Sequence, residues 1–112
     1  MVCQIRTERE LNMALNRAGS NLSVLYVSSP MCGPCKYMTP YFEYLCEEHS
    51  DVQFLKVDVT DSVDDFVELF HTTGIPAFYY FCNGKEIDCF AGGSKDYLLE
   101  SLTKNKLRCS RY

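Results

Sequence analysis

The chain of 112 residues has no tryptophan and only two histidines. It has no apolar run near the ~20 residues that cross a bilayer. Residues 1–8 lack the hydrophobic stretch of a secretory signal. These absences exclude a membrane span and lead us to expect an intracellular, cytoplasmic protein. Zinc sites take clustered ligands, commonly two short-spaced pairs. This chain has one Cys-x-x-Cys, and neither His49 nor His71 shows ligand spacing, so no metal is expected. No repeat, linker or low-complexity stretch interrupts it.

What is present can build a core. Apolar residues make up 46% of the chain and aromatics 13%, which argues against disorder. A domain of this length buries well over half of its unfolded surface without covalent staples. The seven cysteines are therefore read as free thiols in a reducing compartment, not as a disulfide framework, and their odd number agrees. Charge is uneven. Residues 1–103 hold seven Lys/Arg against fifteen Asp/Glu, whereas Lys104, Lys106, Arg108 and Arg111 close the chain without an acid. The acidic body excludes nucleic acid as the main partner. Residues 1–104 are expected to form one domain, and residues 105–112 a basic, solvated tail.

Strand and helix patterns alternate along the chain. Residues 2–5 read as a short strand. Thr7-Glu8-Arg9-Glu10 has the form of a capping box, and Leu11, Ala14, Leu15 and Ala18 follow at helical spacing up to Gly19. Residues 22–28 form a continuous apolar strand of the kind buried on both faces. Met38, Tyr41, Phe42, Leu45, Cys46 and His49 mark one face of a second helix, with a kink expected at Pro40. Residues 52–57 read as another strand, and Val63, Phe66, Val67 and Phe70 as an amphipathic helix that ends before Gly74-Ile75-Pro76. Residues 77–82 and 85–90 flank Asn83-Gly84, a hairpin signal. The last helix is expected over residues 96–103, with Ser94 as its N-cap. This order predicts an α/β fold: a mixed central β-sheet with helices on both faces.

The segment Met31-Cys32-Gly33-Pro34-Cys35-Lys36 follows a central strand and opens a helix. Chemistry in such sheets sits beyond the carboxyl ends of central strands. A helix N-terminus carries partial positive charge and unpaired N–H groups, so a cysteine there is stabilised as the thiolate, the species that attacks disulfides. The spacing therefore points to a redox-active dithiol.

The Cys-Gly-Pro-Cys-Lys motif, the Ile75-Pro76-Ala77-Phe78 segment and the element order together resemble the thioredoxin family over about residues 1–104. The resemblance implies the thioredoxin fold and protein-disulfide reductase activity. It implies Cys32 as nucleophile, Cys35 as resolving thiol, and Gly33 and Pro34 as the residues that set loop geometry and redox potential. It implies a cis-proline at Pro76 facing the dithiol, with Ile75 and Gly92 on the rim of a substrate groove. No cofactor would be bound. Electrons would come from NADPH through a thioredoxin reductase, and the substrates would be disulfide-containing proteins.

Two positions depart from the family pattern. The residue before the first cysteine is usually Trp and here is Met31, which keeps an apolar rim but is smaller and flexible. The register of a buried Asp beneath the resolving cysteine falls on Tyr26, whose phenol has a reference pKa of about 10 and is no base at pH 7. Slower resolution of mixed disulfides is expected. Asp58 and Asp61 are expected near the dithiol, where their charge would raise its pKa. Cys46 reads as core, Cys3 as edge-strand packing, and Cys82 and Cys89 as structural or as a cross-strand pair. Cys109, in the tail, reads as a regulatory thiol, the route by which an otherwise monomeric chain would form a disulfide-linked dimer. The alternative function is a thioredoxin-like binding or regulatory module that holds partners as mixed disulfides with little turnover.

Overall fold

The computed structural model describes residues 1–60 and 74–111. Along them run β1 (Cys3–Gln4), α1 (Glu8–Ala18), β2 (Ser23–Ser28), α2 (Cys35–Glu48), β3 (Gln53–Asp58), β4 (Ala77–Cys82), β5 (Lys85–Ala91) and α3 (Lys95–Cys109). The helix expected over residues 63–70 lies outside the described residues. The strands form one sheet in the order β1-β3-β2-β4-β5. β1 and β2 pair parallel with β3, whereas β4 pairs antiparallel with β2 and with β5.

Local chemistry sets the element ends. Glu10 N donates to Thr7 Oγ1 and Thr7 N donates to Glu10 Oε1, both at 3.1 Å, which completes the capping box of α1. Asn83 and Gly84 take φ values of 53° and 79°, the left-handed pair that a type I′ hairpin requires. α2 stays helical through Pro40, although that residue has no N–H to give to the preceding turn.

Both faces of the sheet are covered. Alternation along β2 sends Leu25 and Val27 toward α1, where they join Leu11, Leu15, Leu55 and Tyr79. Val24 and Tyr26 point the other way, into a core with Phe42, Phe78, Leu98 and Leu102. Within that second core Tyr26, Phe78 and Phe90 stand directly opposite one another on β2, β4 and β5. Their rings stack at 4.8 Å and 4.9 Å, and each such pair adds about 0.5–1.5 kcal/mol beyond area burial.

The structure corrects the C-terminal expectations. α3 runs to Cys109, so most of the supposed tail is helix. Leu98, Leu102, Asn105 and Cys109 continue one buried face, which the sequence pattern hides because its last two members are not aliphatic. Asn105 is satisfied there by donating to Asp88 Oδ2 at 2.9 Å and to the Ser101 carbonyl at 2.8 Å. Lys104 and Lys106 are also engaged within the fold. They pair with Asp88 at 3.3 Å and with Asp51 at 3.1 Å. Cys109 is joined to Cys82 in a disulfide with a Cα–Cα separation of 5.7 Å. It is therefore not an unpaired tail thiol, and the cysteines outside the dithiol are not all free. A Cys82–Cys89 pair does not form, because Cys82 packs into the α2/α3 core and Cys89 against the opposite one. Cys46 is a buried free thiol, whereas Cys3 is exposed rather than packed.

Candidate redox site

β2 delivers the chain to a tight loop at its carboxyl end. There Cys32 N donates to the Ser29 carbonyl at 3.1 Å, and Met31 N donates to Ser29 Oγ at 3.1 Å. Pro34 occupies the N-cap of α2 and has no side chain to accept from the first turn. The sulfur of Cys32 fills that role: Cys35 N donates to Cys32 Sγ at 3.2 Å. Cys32 and Cys35 are joined as a disulfide with Cα atoms 5.4 Å apart. Cys32 is half-buried and Cys35 is 6% exposed, so an incoming sulfur meets Cys32 first.

Pro76 follows a cis peptide bond and is buried, while Ile75 before it is exposed. The Pro76 carbonyl accepts from Gly92 N at 2.8 Å. Gly92 has φ +133°, a conformation that side chains rarely take. The next residue, Gly93, accepts from Tyr37 Oη at 2.9 Å. A Cβ on Gly93 would meet Tyr37 Oη at 2.6 Å and Pro34 Cβ at 2.8 Å. The glycine pair thus bridges Pro76 to the dithiol loop by close backbone approach. Met31 projects from that loop with 89% exposure.

Below the loop, Tyr26 is wholly buried, and its Oη lies 2.8 Å from Thr39 Oγ1. Burial pushes the phenol above its ordinary value of 10.0, with the Thr39 hydrogen bond opposing, so it is neutral near pH 7. Lys56 Nζ sits 5.9 Å from the centre of the Tyr26 ring. A cleft of about 430 Å³ opens beside this pair, lined by Cys32, Cys35, Thr39, Lys36, Lys56 and Asp58 among others. Asp58 therefore faces the same space as both sulfurs, held by donors from Thr60 N at 2.9 Å and Thr60 Oγ1 at 2.7 Å. Asp61 lies outside the described residues. Among the described residues no group of three or more His, Cys, Asp or Glu side chains could hold a metal ion.

Three contributors escape a reading of the sequence. Thr39 stands one turn after Cys35, but its polarity hides it from an apolar-face count. Tyr37 and Gly93 act through a contact 56 residues apart in the chain, which no local pattern announces.

The family model described as Thioredoxin matches residues 2–104. The thioredoxin of Equus caballus is 41% identical over 98 residues, which cover 88% of this chain and 92% of that protein. That of Homo sapiens is 39% identical over the same shares of the two chains. Among solved structures, Fasciola hepatica thioredoxin superposes with a TM-score of 0.84 at 30% identity, covering 91% of this chain and 97% of that one. A thioredoxin f2 solved in complex with ferredoxin:thioredoxin reductase shares the fold, with a TM-score of 0.86 at 22% identity over 93% and 94% of the two chains.

Proposed function

The chain belongs to the thioredoxin family, and on that premise we propose how its Cys32–Cys35 dithiol divides the work of disulfide exchange. It is a protein-disulfide oxidoreductase, reducing disulfides in other proteins by dithiol exchange. Cys32 is the nucleophile. Its sulfur is reachable, and the Cys35 N–H and the N-terminus of α2 favour the thiolate. That thiolate attacks one sulfur of a substrate disulfide, joins it, and expels the other as a thiolate. Cys35, buried one helical turn away, then attacks Cys32 and releases the second substrate sulfur. Two electrons pass to the substrate, and the chain ends as the Cys32–Cys35 disulfide. The observation that carries this assignment is the asymmetry between half-buried Cys32 and buried Cys35.

Each turnover leaves the chain oxidised, so an electron-donating partner must restore it. We assign that role to a thioredoxin reductase drawing on NADPH, in the cytoplasm. Met31, Ile75, Pro76 and Gly92 form the docking rim for an extended substrate segment, with Met31 in place of the family's Trp. Gly33 and Pro34 set the loop geometry. Tyr26 gives the resolving step no base, so mixed disulfides last longer than with a buried carboxylate. Insulin reduction coupled to NADPH oxidation through a thioredoxin reductase tests the scheme. Steady NADPH consumption that depends on this chain is expected. Insulin reduction sustained by dithiothreitol, with none through the reductase, would remove the partner assignment.

A further inference from the structure

Among the described residues, Asp58 is the one carboxylate on the wall of the cleft that both dithiol sulfurs share. β2 and β3 run parallel in a register that sets Tyr26 beside Lys56 and Ser28 beside Asp58. Residues two apart on a strand share a face, so these four lie on the face that α2 covers, where Tyr26 shares a core with Cys35 and Phe42. Val59 N donates to the Ser28 carbonyl at 3.0 Å and ties the end of β3 to the base of the dithiol loop. We propose that Asp58 accepts the proton of Cys35 in the resolving step, relayed by water in the cleft, and so stands in for the buried carboxylate whose place Tyr26 takes. The proposal rests on the reading of Cys35 as the resolving thiol.

Elimination supports this assignment. Lys36 and Lys56 line the same wall, but an ammonium only donates. Ser28, Ser29 and Thr39 offer neutral hydroxyls, and that of Thr39 is already paired with Tyr26 Oη at 2.8 Å. Asp58 is held in position. Thr60 N and Thr60 Oγ1 both donate to its Oδ1, at 2.9 Å and 2.7 Å, and the proton goes to Oδ2. A bridging water needs about 10–15 Å³ of accessible space and polar partners. The cleft offers both, with a volume of about 430 Å³.

The step balances within the dithiol. Cys35 Sγ gives its proton through water to Asp58. The resulting thiolate attacks Cys32 Sγ, the bond from Cys32 to the substrate sulfur breaks, and that sulfur leaves with the electron pair. The proton on Asp58 then passes to the released thiolate. A pure charge effect has the opposite sign. A carboxylate near a thiol opposes formation of the thiolate, so removing a charge that acts only by repulsion would speed both steps. Removing a proton acceptor slows the second step alone. Lys36 on α2, Lys56 on β3 and Tyr26 on β2 face the same space and are the same in parent and variant.

The test compares the parent chain with Asp58→Asn, which keeps an acceptor for Thr60. Reduced chain is mixed with a disulfide-bonded peptide, quenched with acid at short times, and the mixed disulfide is followed by intact mass and mapped to its cysteine. The same substitution in a Cys35→Ser background reads the first step by itself. At pH 7 the second step of Asp58→Asn should be about tenfold slower, less than a directly placed base contributes, with the first step not slowed. Added formate, a carboxylate small enough for the cleft, should restore the second step of Asp58→Asn and leave the parent little changed, whereas chloride at equal ionic strength should restore neither. A second step as fast as the parent's, or faster, would overturn the proposal and leave the dithiol reading standing. A slowed step that formate does not restore would overturn it as well, since the loss would then be structural. No adduct on Cys32 in the Cys35→Ser background would remove the dithiol reading and this proposal with it. Asp58→Ser gives the same comparison should Asp58→Asn fail to fold.

Discussion

Tyr26 Oη and Thr39 Oγ1 lie 2.8 Å apart, joining the strand before the dithiol to the helix that begins with Cys35. The pair occupies ground where the family pattern places a carboxylate. Two neutral hydroxyls can exchange a hydrogen bond there, but neither accepts a thiol proton at pH 7. The proton of Cys35 must go to the leaving thiolate, or into the adjoining cleft, which is open to water and lined by the Asp58 carboxylate.

Replacement of Tyr26 separates structure from chemistry. Tyr26→Phe removes the hydrogen bond and should cost about 1 kcal/mol in urea unfolding, with both exchange steps unchanged. Tyr26→Asp gives up the stacking on Phe78 and the tilted ring contact with Phe42 and should cost about 3 kcal/mol. It also supplies a base. In rapid-mixing experiments its second step should run about a hundredfold faster, the low side of what a positioned base contributes. An unchanged second step in Tyr26→Asp would sink the explanation of slow resolution.

Gly93 is a site residue by virtue of having no side chain. Gly93→Ala sets a methyl 2.8 Å from Pro34 Cβ and 2.6 Å from Tyr37 Oη, and the proline ring is the less able to yield. A stability loss of about 1–3 kcal/mol is expected, together with a lower kcat/KM for insulin reduction as the dithiol loop shifts. Adding Tyr37→Phe removes the hydroxyl contact and should restore part of both. Full activity in Gly93→Ala would show that the close approach does not shape the loop.

His49 makes stability fall in mild acid. Lys106 Nζ lies 3.1 Å from His49 Nδ1, and an ammonium can only donate, so the ring there is neutral. Burial first, and the Lys106 charge second, hold His49 below its ordinary value of 6.5, against opposite pulls from Asp51 and Glu48. The unfolded chain therefore takes up this proton first as pH falls. The contribution is complete above pH 6.5 and is lost as pH drops through the lower folded value. Urea unfolding at pH 7.5 and 5.5 should show a drop for the parent chain that shrinks in His49→Gln. An equal drop in both would assign the effect to other groups.

Elements with local causes were legible in the sequence. The capping box at Thr7, the hairpin at Asn83-Gly84, the buried strand before the dithiol and the dithiol itself each rest on a few neighbouring residues. The end of α3 was not legible, because Asn105 and Cys109 earn their buried positions from partners on β4 and β5 rather than from being apolar. The Cys82–Cys109 bond was hidden for the same reason: cysteine pairing follows Cα geometry, and spacing in the chain does not encode it. Within the site, Cys32, Cys35 and Pro76 announced themselves by motif. Thr39, Tyr37 and Gly93 matter only through what the fold sets against them.

The central claim is the division of roles between the two sulfurs of the dithiol. Mixing reduced Cys35→Ser with insulin, then separating on a non-reducing gel and mapping the adduct by mass, tests it most directly. The account predicts a stable covalent adduct through Cys32 and negligible turnover, with no adduct in Cys32→Ser. Multiple turnover by Cys35→Ser, or an adduct carried by another cysteine, would contradict it.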